Sequence, residues 1–166
     1  VTALSNIQAG GRITAAMLQA IAPNAAEKGA SQSVTSSATL VNDDALYIAL
    51  LADAEYRFDL WLLYEGGTQG NSDLKWAWTG PSGYTINYTL NGVGTGGVGT
   101  PGFVRGAAGG SVGTNGSTNQ LGVLMVGTIT TGSTPGTLQL QWAQNTPNAT
   151  ATTVLPGSQL SAWQTQ

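Results

Sequence analysis

A chain of 166 residues is sized for one compact domain, or one domain with a short arm, and is long enough to bury a core without disulfides. Charged residues are 8% of it, against roughly 25% in ordinary soluble domains, with a net charge of -3; Gly (24 residues), Thr, Ser, Asn and Gln take their place. With no Cys and no His, the sequence excludes thiolate nucleophiles, Ser-His-Asp triads, His-ligated haem, zinc fingers and a disulfide scaffold, and five basic residues are too few for a nucleic-acid footprint.

The opening Val1-Thr2-Ala3-Leu4-Ser5-Asn6 has no basic region leading into an apolar run, so no signal peptide is expected. No stretch approaches the ~18 apolar residues of a membrane-spanning helix. Ile13 to Ala22 is rich in helix formers, with Met17, Leu18 and Ile21 on one face, Thr14 as a cap after Gly10-Gly11, and Pro23 as a stop. A helix that short must dock on something. Residues 1–30 therefore read as an anchoring arm whose Met17, Leu18 and Ile21 attach it to a sister subunit or another protein, and deleting 1–28 is expected to leave a folded domain behind.

From Ser31 the period changes to two. Ser33 to Leu40 is a strand candidate, Asn42-Asp43-Asp44 a turn, and Ala45 to Leu51 a further strand. Tyr56, Phe58, Leu60, Leu62 and Tyr64 alternate with Arg57, Asp59, Trp61, Leu63 and Glu65, the clearest strand of the chain. Leu74-Trp76-Trp78 and Tyr84-Ile86-Tyr88 alternate too, joined by the turn Thr79-Gly80-Pro81-Ser82-Gly83. Residues 92–122 form a Gly-rich loop segment with a short strand at Phe103-Val104-Arg105, and keep no Gly-X-Y repeat. Strands resume at Gly122 to Thr130, Leu138 to Ala143, Thr150 to Leu155 and Leu160 to Trp163. About eight short strands at this spacing predict a mainly β fold, an antiparallel jelly-roll-like β-sandwich over 31–166 with a short N-terminal helical arm.

Few residues offer chemistry. Asp53, Glu55 and Asp59 cluster in sequence near Asp43-Asp44, a grouping that paired-carboxylate hydrolysis or Ca²⁺ binding would need, but the pattern fits a solvent-facing strand and a turn better. Gly94-Thr95-Gly96-Gly97-Val98-Gly99 lacks the following helix and the Lys-Ser/Thr pair of a phosphate loop. Trp76 and Trp78 share a strand face and would stack on sugar rings if exposed; core packing is the favoured reading. No catalytic residue, metal site or cofactor is expected.

All charged side chains lie between Arg12 and Arg105, leaving 106–166 uncharged. Charge normally guards strand edges, so neighbouring subunits are expected to cover the late strands, with Leu138, Gln139, Leu140, Gln141 and Trp142 at the subunit interface.

Several stretches carry a resemblance: Ala9 to Leu18 with Lys28 and Ser33 to Ser37, Asn42 to Leu46, Ala54-Glu55-Tyr56, Asp73 to Gly83, Gly136 to Asn145 and Gly157 to Leu160. Together they resemble small virion proteins encoded by tailed phages of actinobacteria, of minor-tail, head-fibre or capsid-decoration type. The resemblance implies a non-enzymatic structural protein on the virion surface, made in the host cytoplasm, anchored by its N-terminal arm to capsid or tail proteins and closed as a homotrimer. The alternative is a receptor- or carbohydrate-binding module of the tail tip that mediates host attachment through a cell-surface glycan. Neither reading involves nucleic acid or membrane insertion.

Overall fold

Strict alternation builds the centre of the molecule. Tyr56, Phe58, Leu60, Leu62 and Tyr64 all point inward and are buried, because a slip of one residue would expose the whole set. The computed structural model describes residues 11–12, 14, 22–68, 72–94, 102–105, 109–116 and 119–165. Met17, Leu18 and Ile21, with the expected helix, lie outside them.

Twelve strands are described: β1 (Asn24–Glu27), β2 (Gln32–Val34), β3 (Val41–Leu50), β4 (Glu55–Glu65), β5 (Leu74–Thr79), β6 (Thr85–Asn91), β7 (Gly102–Arg105), β8 (Gly110–Val112), β9 (Leu121–Thr130), β10 (Gly136–Gln144), β11 (Thr152–Val154) and β12 (Gln159–Gln164). One sheet runs β1-β12-β4-β9-β6-β7, with β11 pairing both β4 and β2; the other runs β3-β10-β5-β8. All pairings are antiparallel.

The register makes β1 and β2 two halves of one lane, and β11 and β12 two halves of the lane beside it. Counting each lane once and setting aside the β6–β7 hairpin leaves eight lanes. In chain order, one sheet then reads 1-8-3-6 and the other 2-7-4-5. That is the winding of a jelly roll, and β6–β7 widens its first sheet beyond β9. The fold is the β-sandwich that the periodicity predicts.

Between the sheets, Leu46, Ile48, Leu138, Leu140 and Trp142 of the second sheet meet the inward face of β4 and β9. Phe58 meets Trp78 edge to face with centroids 5.5 Å apart, and Tyr88 at 6.2 Å. The Tyr88 hydroxyl accepts the Trp76 indole N–H at 2.9 Å. Gly127 pairs with Phe58 on one side and Tyr88 on the other, where a Cβ would lie 2.1 Å from the Asn87 carbonyl oxygen. Only glycine fits against the backbone of β6 there.

The sandwich begins before residue 31. Asn24–Glu27, placed by the sequence in the arm, pairs with β12 along its length. The two edge lanes break at the same level, where the Lys28 N–H donates to the Ser158 carbonyl and the Gly157 N–H to the Lys28 carbonyl, both at 2.9 Å. Across the break, Ser158 Oγ accepts from the Leu63 N–H at 2.9 Å and donates to the Leu155 carbonyl at 2.8 Å.

From this break the Lys28 side chain enters the interior. Its Nζ donates to Asp43 Oδ1 at 3.1 Å, Gln32 Oε1 at 3.2 Å and Asp44, with both the Lys28 and Asp43 side chains fully buried. Asp43 opens a bulge in β3: the register jumps from Asn42↔Gln141 to Tyr47↔Gln139. Its Oδ1 accepts the Ala45 and Leu46 N–H groups at 3.0 and 2.9 Å, and its Oδ2 the Trp142 indole at 3.1 Å. Gln139 Nε2 donates to the Asp43 carbonyl at 2.9 Å, and Gln32 Oε1 takes the Asp44 N–H at 3.0 Å. The expected turn at Asn42-Asp43-Asp44 is thus a bulge within a strand, kept there because side chains satisfy its backbone groups.

Two outcomes test this account. Leu60→Asp, which buries an unpaired charge at a position with 0% exposure, should abolish soluble folded protein on expression; normal yield with an unchanged melting temperature would contradict the core assignment. Removing residues 1–21 should leave thermal unfolding unchanged, whereas removing 1–28 should destabilise strongly. Lys28→Met should by itself cost about 3–5 kcal/mol in denaturant unfolding, because it strands the Asp43 carboxylate.

Candidate functional site

The sandwich has two ends and two outer faces. At one end lie the turns 51–54, 80–84 and 131–135, together with Asn24 and Thr165. Asn24 Nδ2 donates to the Ala49 carbonyl at 2.9 Å, and the Thr165 N–H to Glu55 at 2.7 Å. Thr131 Oγ1 fastens these turns, accepting from the Ala54 N–H at 2.9 Å and donating to the Leu51 carbonyl at 2.7 Å. The arm therefore joins the sandwich at this end.

The opposite end gathers the described parts of 35–40, 66–73, 113–120 and 145–151. Buried Gln144 ties two of these connections, its Oε1 accepting from Ser37 and Asn148 N–H groups at 3.2 and 3.0 Å and its Nε2 donating to Thr150 at 2.7 Å. Buried Asp73 ties two more, accepting the Thr114 N–H at 3.0 Å and hydroxyl at 3.3 Å. Tyr64 Oη donates to the Gly113 carbonyl at 2.8 Å. Burial first, and the Asp73 charge second, hold the Tyr64 phenol well above its ordinary pKa of 10.0. These groups fasten loops from within; none presents reactive chemistry to solvent.

The outer faces differ in charge. On the first sheet, β4 turns Glu55, Arg57, Asp59, Trp61, Leu63 and Glu65 outward, with Arg57 Nε 3.6 Å from Asp59 Oδ1. Trp61 is 44% exposed, and Leu124, directly opposite it on β9, 40%. On the second sheet the outward set is Ala45, Tyr47, Ala49, Thr137, Gln139, Gln141, Ala77 and Thr79. Lys75 and the Lys28-bound Asp44 are the charges of its described strands apart from buried Asp43. Tyr47 at 51% and Leu51 at 59% are the most exposed large apolar side chains described.

Trp76 and Trp78 are each 2% exposed, packed in the core against the first sheet as the favoured reading of their strand has it, so neither reaches a glycan. Other sequence expectations change. Leu138, Leu140 and Trp142 belong to the chain's own core, because β10 lies between β3 and β5 and sends alternate residues inward. They are not subunit contacts. Gln139 and Gln141 do face outward, but the Gln139 amide is engaged by the β3 bulge and the Gln141 amide donates to Asn42 Oδ1 at 2.8 Å. Trp61, not singled out from the sequence, is the most exposed indole; its position out of phase with Tyr56 to Tyr64 was the available signal.

The acidic residues do not converge. Glu55 and Asp59 are four positions apart on one strand, about 13 Å by the rise of an extended chain, wider than the ~5–9.5 Å of glycosidase carboxylate pairs. Asp43 is ion-paired in the interior. Among the described residues, no group of three or more acids is placed to hold a metal ion, and no helix is long and apolar enough to cross a membrane.

The chain matches no protein-family model and no curated protein. Among solved structures, it is similar to that of infectious bursal disease virus strain Gx, with 12% identity and a TM-score of 0.21, covering 86% of this chain and 40% of that one. The VP2 subviral particle of infectious bursal disease virus gives 11% identity and a TM-score of 0.20 over the same shares. The chain thus spans about two fifths of the length of these structures.

The buried phenol supplies a pH test. The folded state keeps Tyr64 protonated beyond the pH at which the unfolded chain releases that proton, so its contribution is complete below about pH 10 and is lost as pH rises above it. Denaturant unfolding should show stability falling above pH 10. Tyr64→Phe should flatten that fall while costing about 1 kcal/mol at neutral pH for the lost bond to Gly113; an unchanged alkaline slope would refute the assignment.

Proposed function

We propose that this chain is a non-enzymatic structural protein of a phage virion surface, of capsid-decoration, head-fibre or minor-tail type, held by its N-terminal arm and self-associating as a homotrimer. The observation that carries the reading is the unequal charge of the two outer faces. Between Lys75 at one place and the Lys28-bound Asp44 at another, the second sheet presents Ala, Thr, Gln and an exposed Tyr47, which a second copy seated on them covers without stripping water from ions. A free charge-poor sheet face invites uncontrolled pairing; closed self-association removes that hazard.

The ends of the sandwich support the same reading. The arm enters beside Asn24, and the loops around 66–73 and 113–120 lie at the other end, so a protein attached through its arm projects these loops outward. Fold by itself does not assign function, and jelly rolls serve both capsids and lectins. A second reading, a receptor- or carbohydrate-binding module that attaches the particle to its host, is favoured by the exposed Trp61.

Sedimentation at micromolar concentration should give a trimer. Tyr47→Lys, which plants a charge on the second sheet's outer face, should shift it toward monomer, and Arg57→Gln on the other face should not. A monodisperse wild-type monomer would defeat the self-association. Labelled antibody against the chain should decorate intact particles in electron micrographs, and its absence from every purified particle would defeat the virion assignment.

A further inference from the structure

We propose that the outer face of the first sheet binds a neutral pyranose, stacked on Trp61. The inference rests on the second reading above, whose ligand class and subsite it names, and it is independent of the structural role. Trp61 lies in a row that crosses five strands at one level: Glu27 on β1, Gln159 on β12, Trp61 on β4, Leu124 on β9 and Asn91 on β6. The row spans about 19 Å, four interstrand spacings. An amide flanks the exposed apolar pair on each side, and the Glu27 carboxylate stands beyond Gln159.

The indole is held in place from below. A Cβ added at Gly122, the position diagonal to Trp61 on β9, would lie 2.7 Å from Trp61 Cη2 and 2.9 Å from Cζ2, so the ring occupies space that only glycine leaves free. An aromatic ring covering a strand glycine is restrained before any ligand arrives, which lowers the ordering cost of binding. The ring nonetheless stays 44% exposed. Restraint, an accessible apolar surface and flanking amides are what a sugar needs, since it offers a C–H face ringed by hydroxyls.

Size and charge select among possible occupants. The exposed part of the indole amounts to on the order of 100 Å², far below the ~800 Å² per partner of a stable protein interface. Among the described side chains, Glu27, Glu55, Asp59 and Glu65 lie on this face against Arg57, a balance around Trp61 that repels sulfated, phosphorylated or sialylated glycans and anionic lipid headgroups. A neutral hexopyranoside fits both limits: its ring lies over Trp61 and Leu124, and its hydroxyls bond to the amides of Gln159 and Asn91.

The test uses the intact chain with neutral gluco-, galacto- and manno-configured oligosaccharides in saturation-transfer NMR, with a sulfated oligosaccharide as the charged probe. Transfer to the C–H protons of at least one neutral sugar is expected, and Trp61→Ala should weaken that binding by at least about tenfold with an unchanged melting temperature. Leu124→Glu, which leaves the indole in place, should weaken it as well. The Trp78→Phe variant, altered in the core, should retain it. No transfer to any neutral sugar, transfer only to the sulfated one, or binding that survives both Trp61→Ala and Leu124→Glu would overturn the proposal. Particle decoration by the same Trp61→Ala protein separates this outcome from failure of the structural role.

Discussion

An ammonium and a carboxylate fully withdrawn from water are an unusual foundation for a chain with so few charges. Lys28 and Asp43 nevertheless stand where the two sheets are joined. Lys28 leaves the break between β1 and β2 in one sheet, and Asp43 starts the bulge of β3 in the other. A jelly roll passes the chain from sheet to sheet, and each crossing risks leaving backbone groups unpaired. Here one carboxylate accepts the ammonium, two backbone N–H groups and the Trp142 indole, while Gln139 and Gln32 satisfy the neighbouring backbone. A buried ion pair need not outperform a well-packed apolar substitute in net stability. Its consequence is registration: β3 can take one alignment on β10, and β1 follows β2 through a fixed break.

With that crossing fastened, the rest of the sandwich follows from repetition. Phe58, Tyr88, Trp76 and Trp78 fill the centre, and Gly127 allows two of those rings to flank one strand position. Gln144 and Asp73 hold the loops at one end, and Thr131 holds the turns at the other. Polar chemistry in this protein is turned inward to hold connections, which leaves the outer faces chemically quiet. Those faces differ in charge and in aromatic exposure, and a functional reading has to be built on that difference.

The two exposed aromatic side chains then fall into separate roles. Tyr47 sits on the charge-poor sheet, where a sister copy meets little desolvation penalty. Trp61 sits on the face that carries Glu55, Arg57, Asp59 and Glu65, a surface that stays hydrated and open. One face suited to assembly and the other to contact with a small ligand is an arrangement that a two-sheet sandwich offers without any catalytic group.

Alternation in the sequence was enough to determine the longer strands and the inward face of β4, since Arg57, Asp59 and Glu65 leave only one parity for the core. It did not resolve β10, whose Leu138, Leu140 and Trp142 were grouped with Gln139 and Gln141 as one interface. Which parity is inside depends on the sheet that covers it, and that sheet is assembled from strands distant in sequence. The same reason decides between the two readings of Trp76 and Trp78 in favour of the core, and leaves Trp61 outside. Asn24–Glu27 was too short and too polar to announce a strand, because its pairing is supplied by β12 from the far end of the chain. The burial of Lys28, within the bounds of the arm, is not legible locally for a related cause: its partners lie 15 and 16 positions further on, and their carboxylates meet its ammonium only once β3 has bulged toward the broken edge. Local pattern thus determined where strands form and which residues could share a face. Tertiary pairing alone decided which faces are buried, because burial is a property of two sheets and not of one strand.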